Sequence, residues 1–141
     1  QKDATIPVAE IGRKVGLSTT PCWRRIQKME EDGIIKGRVA VLDPAKVNAG
    51  VTVFVSVKTN EHNETWMRKF SSVVEDFTEV VEFYRMSGDT DYLLKVVVPD
   101  IAGFDLVYKK LIQIVELFDV SSSFAMEEIK YTTALPLNYA T

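Results

Sequence analysis

The sequence predicts an α+β chain in two unlike parts, and three observations carry that expectation. Two brief apolar runs at helical spacing fill the first thirty-odd residues. A stretch at 43–50 holding Pro44 and Gly50 then interrupts the chain. Beyond it, apolar periods of two and of 3.6 alternate in the order β-α-β-β-α-β. At 141 residues and 46% hydrophobic composition the chain can bury one moderate core or two small ones, and the segmentation argues for two.

The first helix opens at Pro7, whose fixed φ suits an initial turn, and places Val8, Ile11 and Val15 on one side before Gly16 stops it. Ser18 or Thr20 then caps a second helix in which Pro21 sits harmlessly in the first turn, with Cys22, Ile26 and Met29 turned inward. Cys22 therefore reads as a small buried hydrophobe. Outward go Ser18, Thr19, Thr20, Arg24, Arg25 and Lys28. Two helices about a glycine corner, with hydroxyls and arginines on the outer N-terminal half of the second, form a helix-turn-helix suited to double-stranded DNA. Base edges take bidentate donors, and phosphates take cations and helix N-termini. Gly33–Arg38 reads as a turn into a strand, a small wing on which Lys36 and Arg38 meet phosphates. Trp23 has two open readings, contact with DNA sugar or packing on a neighbouring element. The plain alternative for the whole segment is a helical hairpin with a solvated basic face.

Residues 1–42 form this unit and 43–50 the hinge. Helix-turn-helix units need a third helix over the apolar backs of the other two, and few residues precede Pro7. The expectation is a domain whose first helix is missing and a Gln1 that is not the natural start. Charge follows the division. Residues 1–42 hold 8 Lys/Arg against 5 Asp/Glu, a net +3, and residues 43–141 hold 9 against 15, a net −6, giving the overall −3. Cations concentrate where DNA would dock, and the acidic remainder discourages wrapping.

Residues 51–141 form the second unit. Val51, Val53, Val55 and Val57 alternate along a strand, and Trp66, Phe70, Val73 and Phe77 recur as a helix. Glu79–Met86 and Tyr92–Val98 are strands joined at Ser87-Gly88-Asp89-Thr90-Asp91. Phe104, Val107, Tyr108, Leu111 and Ile114 mark another helix, and Val120–Ile129 a final strand. Two βαβ units side by side make a ferredoxin-like antiparallel sheet with both helices on one face. The other face stays open, with Phe54, Tyr84 and Phe124 as its large residues, and an open apolar face predicts at least a dimer.

Enzymatic and metal chemistry find little support. His62, the single histidine, lies in the polar turn Asn60–Glu64, and one cysteine builds neither a disulfide framework nor a metal site. Asp89 and Asp91 have no histidine, lysine or nucleophile beside them in their motif. No Gly-rich phosphate loop, HExxH or CxxC occurs. No apolar run approaches the roughly 18 residues of a membrane span, and no signal-peptide pattern opens the chain, so no membrane partner and a cytoplasmic location are the default.

Several motifs in series resemble the Lrp/AsnC, or feast/famine, family of transcription regulators. They are Val15-Gly16-Leu17-Ser18 leading into Thr20-Pro21-Cys22-Trp23-Arg24-Arg25, then Glu31-Asp32-Gly33-Ile34-Ile35, Ser87-Gly88-Asp89-Thr90-Asp91-Tyr92-Leu93-Leu94-Lys95, and Met126-Glu127-Glu128-Ile129-Lys130. The resemblance spans essentially the whole chain and departs at the N-terminus, where the first helix and its acidic-aliphatic opening are absent. It implies a DNA-binding transcription regulator whose regulatory domain dimerises through its sheet, with dimers assembling further, commonly to octamers. It implies no cofactor but an amino-acid effector bound between regulatory domains near the Gly-Asp-x-Asp-Tyr hairpin. Carried over, Ser87, Gly88, Asp89, Asp91 and Tyr92 belong to that site, joined by Met86 and, from Ser121, Ser122 and Ser123 on the last strand, by Ser123. Gly88 opens backbone N–H groups to a ligand carboxylate, and an aspartate accepts from a ligand ammonium. The plainer reading of the hairpin is local: Gly88 supplies positive φ, and Asp89 or Asp91 bonds its own backbone. The alternative for the chain as a whole is a stand-alone effector-binding and oligomerisation module that does not bind DNA.

Overall fold

The structure, a computed structural model, describes residues 1–114 and 119–140, without the side chain of Ile114. Two compact units divide the chain, one of Gln1–Val41 with the segment from Ile129 onward, the other Leu42–Glu128. The first division, between Val41 and Leu42, lies one residue before the end expected at 42. The tail differs: expected in the second domain, it groups with the first unit. There the Gln1 carboxamide brackets the Leu135 backbone, donating to its carbonyl at 3.2 Å and accepting from its N–H at 2.7 Å. Thr133 also donates its hydroxyl to the Gln1 carbonyl.

In the first unit, α1 (Val8–Val15) begins after Pro7 and ends at Gly16 in the left-handed region, φ 72°. The Leu17 N–H closes the corner on the Gly12 carbonyl at 2.8 Å. Gly12 is buried against that corner, and a Cβ there would stand 2.7 Å from the Leu17 carbonyl oxygen. Helix α2 (Thr19–Glu31) follows with Cys22 buried on its inner side. The expected wing strand does not form: residues 36–42 hold no regular structure. A strand needs a partner for its backbone groups, and none pairs with this segment among the described residues.

The second unit opens with a 3₁₀ turn, Pro44–Val47, capped by the Asp43 carboxylate on the Ala45 N–H and ended by Asn48 at φ 56°. This turn occupies the stretch expected as the hinge. Beyond it run β1 (Val51–Lys58), α3 (Glu64–Glu75), β2 (Val80–Arg85), β3 (Tyr92–Val98), α4 (Ile101–Ile114) and β4 (Asp119–Phe124). The strands form one antiparallel sheet in the order β2-β3-β1-β4, the ferredoxin-like arrangement. Val53, Val55 and Val57 with Tyr92, Leu94, Val96 and Val98 face the helices and meet Trp66, Phe70, Val74, Phe104, Val107 and Leu111 in a single core. The α3 stripe is therefore Trp66-Phe70-Val74, one position off the expected Val73, and Phe77 packs on the core just past the helix end. Phe70 is fully buried, its ring 5.0 Å from Trp66, 5.2 Å from Tyr92 and 5.5 Å from Phe83. On β2 a register shift between Val80 and Glu82 leaves Val81 54% exposed.

Two expectations for β4 change. The strand stops at Phe124 rather than Ile129, because its partner runs out: Phe124 already pairs with Val53, and the Ala125 N–H reaches Thr52 near the start of β1. Met126 and Ile129 are almost fully exposed. Phe124 also lies on the other side from the one expected. It pairs with core-facing Val53 and packs edge-on against Phe104 of α4 at 5.4 Å, so the open face is carried by Phe54, Leu93, Val97 and Tyr84.

Candidate functional sites

The outer side of α2 is the first site. Ser18 occupies the N-cap but makes no side-chain cap bond, so its hydroxyl is unspent. Ser18, Thr19, Thr20, Arg24, Arg25 and Lys28 are all exposed. At about 100° per residue, Thr20 and Arg24 stand opposite the Cys22–Ile26–Met29 side, whereas Arg25 turns toward a flank. There it borders a concavity of about 480 Å³ floored by Ile11, Val15, Leu17, Cys22, Ile26 and Met29. Arg24 and Arg25 form no ion pair among the described residues, while Lys28 reaches Asp32 at 3.1 Å and Arg38 pairs with Glu30. Lys36 is exposed in the segment without a strand. Trp23 is 50% exposed, so packing on a neighbour covers only part of its ring.

The second site is the β2–β3 hairpin. Its base closes through the Met86 N–H on the Asp91 carbonyl at 2.8 Å, and Gly88 at the tip has φ 110°, a conformation that glycine alone adopts freely. Met86, Ser87, Gly88 and Asp89 are exposed together there. Asp91 and Tyr92 are committed elsewhere. The Asp91 carboxylate accepts the Thr59 N–H at 2.8 Å, and the Tyr92 ring lies in the aromatic core 5.7 Å from both Trp66 and Phe83. Tyr92 is only 6% exposed, which moves it from the effector list to the core. Ser123 is exposed on the open face opposite Phe54. It is two strands and three register positions from Tyr92, about 10 Å across and about 10 Å along. One chain therefore does not bring Ser123 to the hairpin.

Three features escaped the sequence reading. Gly12 was legible as a glycine inside a helical pattern. The Asp91–Thr59 bond spans 32 residues, and no local signal announces it. On the open face Glu82 accepts from the Tyr84 hydroxyl at 2.7 Å and from Lys95 at 3.1 Å. The Tyr84 bond, then Lys95, holds the Glu82 carboxyl below its usual range, and the same carboxylate raises the Tyr84 hydroxyl. Glu82 and Lys95 are cross-strand partners, visible once the register is known.

A helix-turn-helix with a free hydroxyl and arginine face, in series with a ferredoxin-like sheet, defines a class: a transcription regulator that carries its own sensing domain. Comparison with known proteins narrows the class. Residues 52–135 match the family model described as the Lrp/AsnC ligand binding domain, and residues 1–36 match a winged helix-turn-helix DNA-binding model. The chain belongs to the Lrp/AsnC family of transcription regulators. It is 51% identical over 137 residues to a glutamate uptake regulatory protein of Zymomonas mobilis, covering 97% of this chain and 84% of that protein. A DNA-binding transcriptional activator of Escherichia coli K12 is 48% identical over 138 residues, covering 97% of this chain and 91% of that one. Among solved structures, an AsnC family transcriptional regulator from Agrobacterium tumefaciens superposes with TM-score 0.95 at 66% identity, over 99% of this chain and 91% of that one. A regulator from Neisseria meningitidis solved with L-methionine superposes with TM-score 0.89 at 34% identity, over 95% and 87%. No catalytic role accompanies these matches, and no described helix is long and apolar enough to cross a membrane.

Proposed function

We propose that this DNA-binding regulator reads its operator through Ser18, Thr19, Thr20, Arg24, Arg25 and Lys28, with Lys36 and Arg38 on flanking phosphates, and that an amino acid bound at Met86, Ser87, Gly88 and Asp89 controls it. The observation that carries the DNA assignment is the exposed N-terminus of α2, where Ser18 makes no side-chain cap bond, together with Arg24 about two turns further on the outer side, without an ion pair among the described residues. A helix N-terminus with free donors takes phosphate, and a free guanidinium takes phosphate or guanine. For the effector, support comes from the exposed backbone around Gly88 and from the L-methionine held by the Neisseria regulator.

The open sheet face, with Phe54, Leu93, Val97 and Tyr84 around the Glu82–Lys95 pair, is the proposed homodimer contact, and higher assembly to octamers builds on it. A second chain is then also the source from which Ser123 reaches an effector site. Ligand between regulatory domains biases the arrangement of dimers and hence the spacing of recognition helices on successive DNA turns. The cytoplasm, where the DNA is, is the proposed location.

Calorimetry with the twenty amino acids, then light scattering and fluorescence anisotropy on an operator with and without the hit, tests the scheme. Binding heat coupled to a change in oligomer or DNA affinity is expected. Ligand heat and defined oligomers without any DNA shift leave the stand-alone module instead, and no heat with any amino acid overturns the effector assignment.

A further inference from the structure

Asp91 makes three hydrogen bonds, through its N–H, its carbonyl and one carboxylate oxygen, to the end of β2 and to the end of β1 with the residues just past it. Its N–H donates to the Val57 carbonyl of β1 at 3.0 Å, its carbonyl accepts from Met86 at the end of β2 at 2.8 Å, and its carboxylate accepts from the Thr59 N–H at 2.8 Å. Thr59 is only 4% exposed. The chain of contacts continues without a gap. The Thr59 hydroxyl accepts from the Glu61 N–H at 3.0 Å, the Glu61 carboxylate accepts from the Asn63 amide at 2.8 Å, and the Asn63 carbonyl oxygen caps the Trp66 N–H at 2.8 Å. Trp66 in turn stacks on Phe70 and lies against Tyr92, the residue after Asp91. A closed circuit thus runs from the hairpin base through the β1–α3 loop into the first turn of α3 and back.

We infer that Asp91 is the positioning residue of the effector hairpin rather than a contact for the ligand ammonium. This rests on the reading that an amino acid binds at residues 86–89. The carboxylate oxygen facing Thr59 is already committed to a buried backbone donor, and the other stands 4.0 Å from His62 Nδ1. What Asp91 supplies is order: with its three bonds in place the Met86–Asp89 backbone is held ready, so the ligand does not have to order it on binding. The circuit also gives the hairpin a route to the N-terminus of α3, so a ligand that strains or tightens the tip shifts the environment of Trp66.

The two roles separate in one pair of variants of the full chain. Asparagine keeps an oxygen for the Thr59 N–H but has no charge for an ammonium; alanine has neither. Asp91→Ala is expected to speed hydrogen exchange at the Thr59 and Trp66 amides at least tenfold and to weaken amino-acid binding about tenfold, the scale of losing a bond to a charged group. Asp91→Asn is expected to keep both within about threefold. An asparagine variant as damaged in ligand affinity as the alanine variant overturns the inference, because charge toward the ligand is then what matters. So does an unchanged Thr59 amide in Asp91→Ala. Should the alanine variant fail to fold, the asparagine variant alone decides by the same two readouts. If no amino acid gives heat with the wild-type protein, the effector reading fails, while the exchange rates at Thr59 and Trp66 still decide whether Asp91 holds the hairpin.

Discussion

Arg24→Ala offers the most direct measure of the DNA face. Lys28 and Arg38 are partly neutralised by Asp32 and Glu30, whereas Arg24 is exposed and carries no ion pair among the described residues, so its whole charge is available to a phosphate. Each phosphate contact contributes about 0.9 to the slope of log affinity against log salt. Raising salt fourfold, from 50 to 200 mM, therefore cancels about 3.5-fold of the wild-type advantage for each recognition helix, and about 12-fold when a dimer sets two helices on one operator. Fluorescence anisotropy with a labelled operator at several salt concentrations reads both numbers. The variant should bind more weakly at 50 mM, with the gap narrowing toward 200 mM. Identical affinity and parallel salt slopes would refute the placement of Arg24 on the DNA.

Asp32→Ala should act in the opposite sense, releasing Lys28 and raising operator affinity at low salt, measured in the same titration. Gly12→Ala should lower the urea midpoint of the helix-turn-helix unit: the 2.7 Å approach to the Leu17 carbonyl forces the corner open, a cost of about 1–3 kcal/mol that outweighs the helix preference of alanine. Phe70→Ala, which empties the centre of the aromatic cluster, should cost about 3–5 kcal/mol in denaturant unfolding of the sensing domain. Glu82→Gln probes pH. Because its partners hold the Glu82 carboxyl low, folding gains stability from it above the unfolded-state value near 4.3 and loses that gain as pH falls through the lower folded-state value. The wild-type advantage over the variant in urea should therefore be present at pH 7 and vanish toward pH 3. At this half-exposed site it should stay below about 1 kcal/mol.

Periodicity made most of the architecture legible, for a physical reason: strands and helices buried on one side must repeat their apolar residues. Val53, Val55 and Val57 and the stripe Phe104-Val107-Leu111 were written in the chain and found in the core. Failures fell where pairing rather than period decides. Residues 120–129 read as one strand, but β1 offers partners only as far as Phe124, and no local pattern reports where a neighbour ends. Phe124 looked like an open-face aromatic until its register with Val53 placed it beside Phe104. At the sites, the exposure of the hydroxyls and arginines of α2 was legible from spacing. The placement of Asp91 and Tyr92 was not, because a motif names residue types and cannot say which way alternate side chains turn. Tyr92 belongs to the parity that includes Leu94 and Val96, so it had to enter the core with them.

The register shift on β2 bears on how this protein behaves at high concentration. With the order β2-β3-β1-β4, the outer rims of β2 and β4 are the free edges of the sheet. An unpaired rim is a template on which another chain can polymerise. The irregularity between Val80 and Glu82 kinks one rim out of the flat geometry such growth requires. The other rim is a short strand with three successive serines, Ser121 to Ser123, whose residue type is a poor fibril former beside valine or isoleucine. Each of these two edges thus carries a feature that disfavours rim-to-rim growth into fibrils.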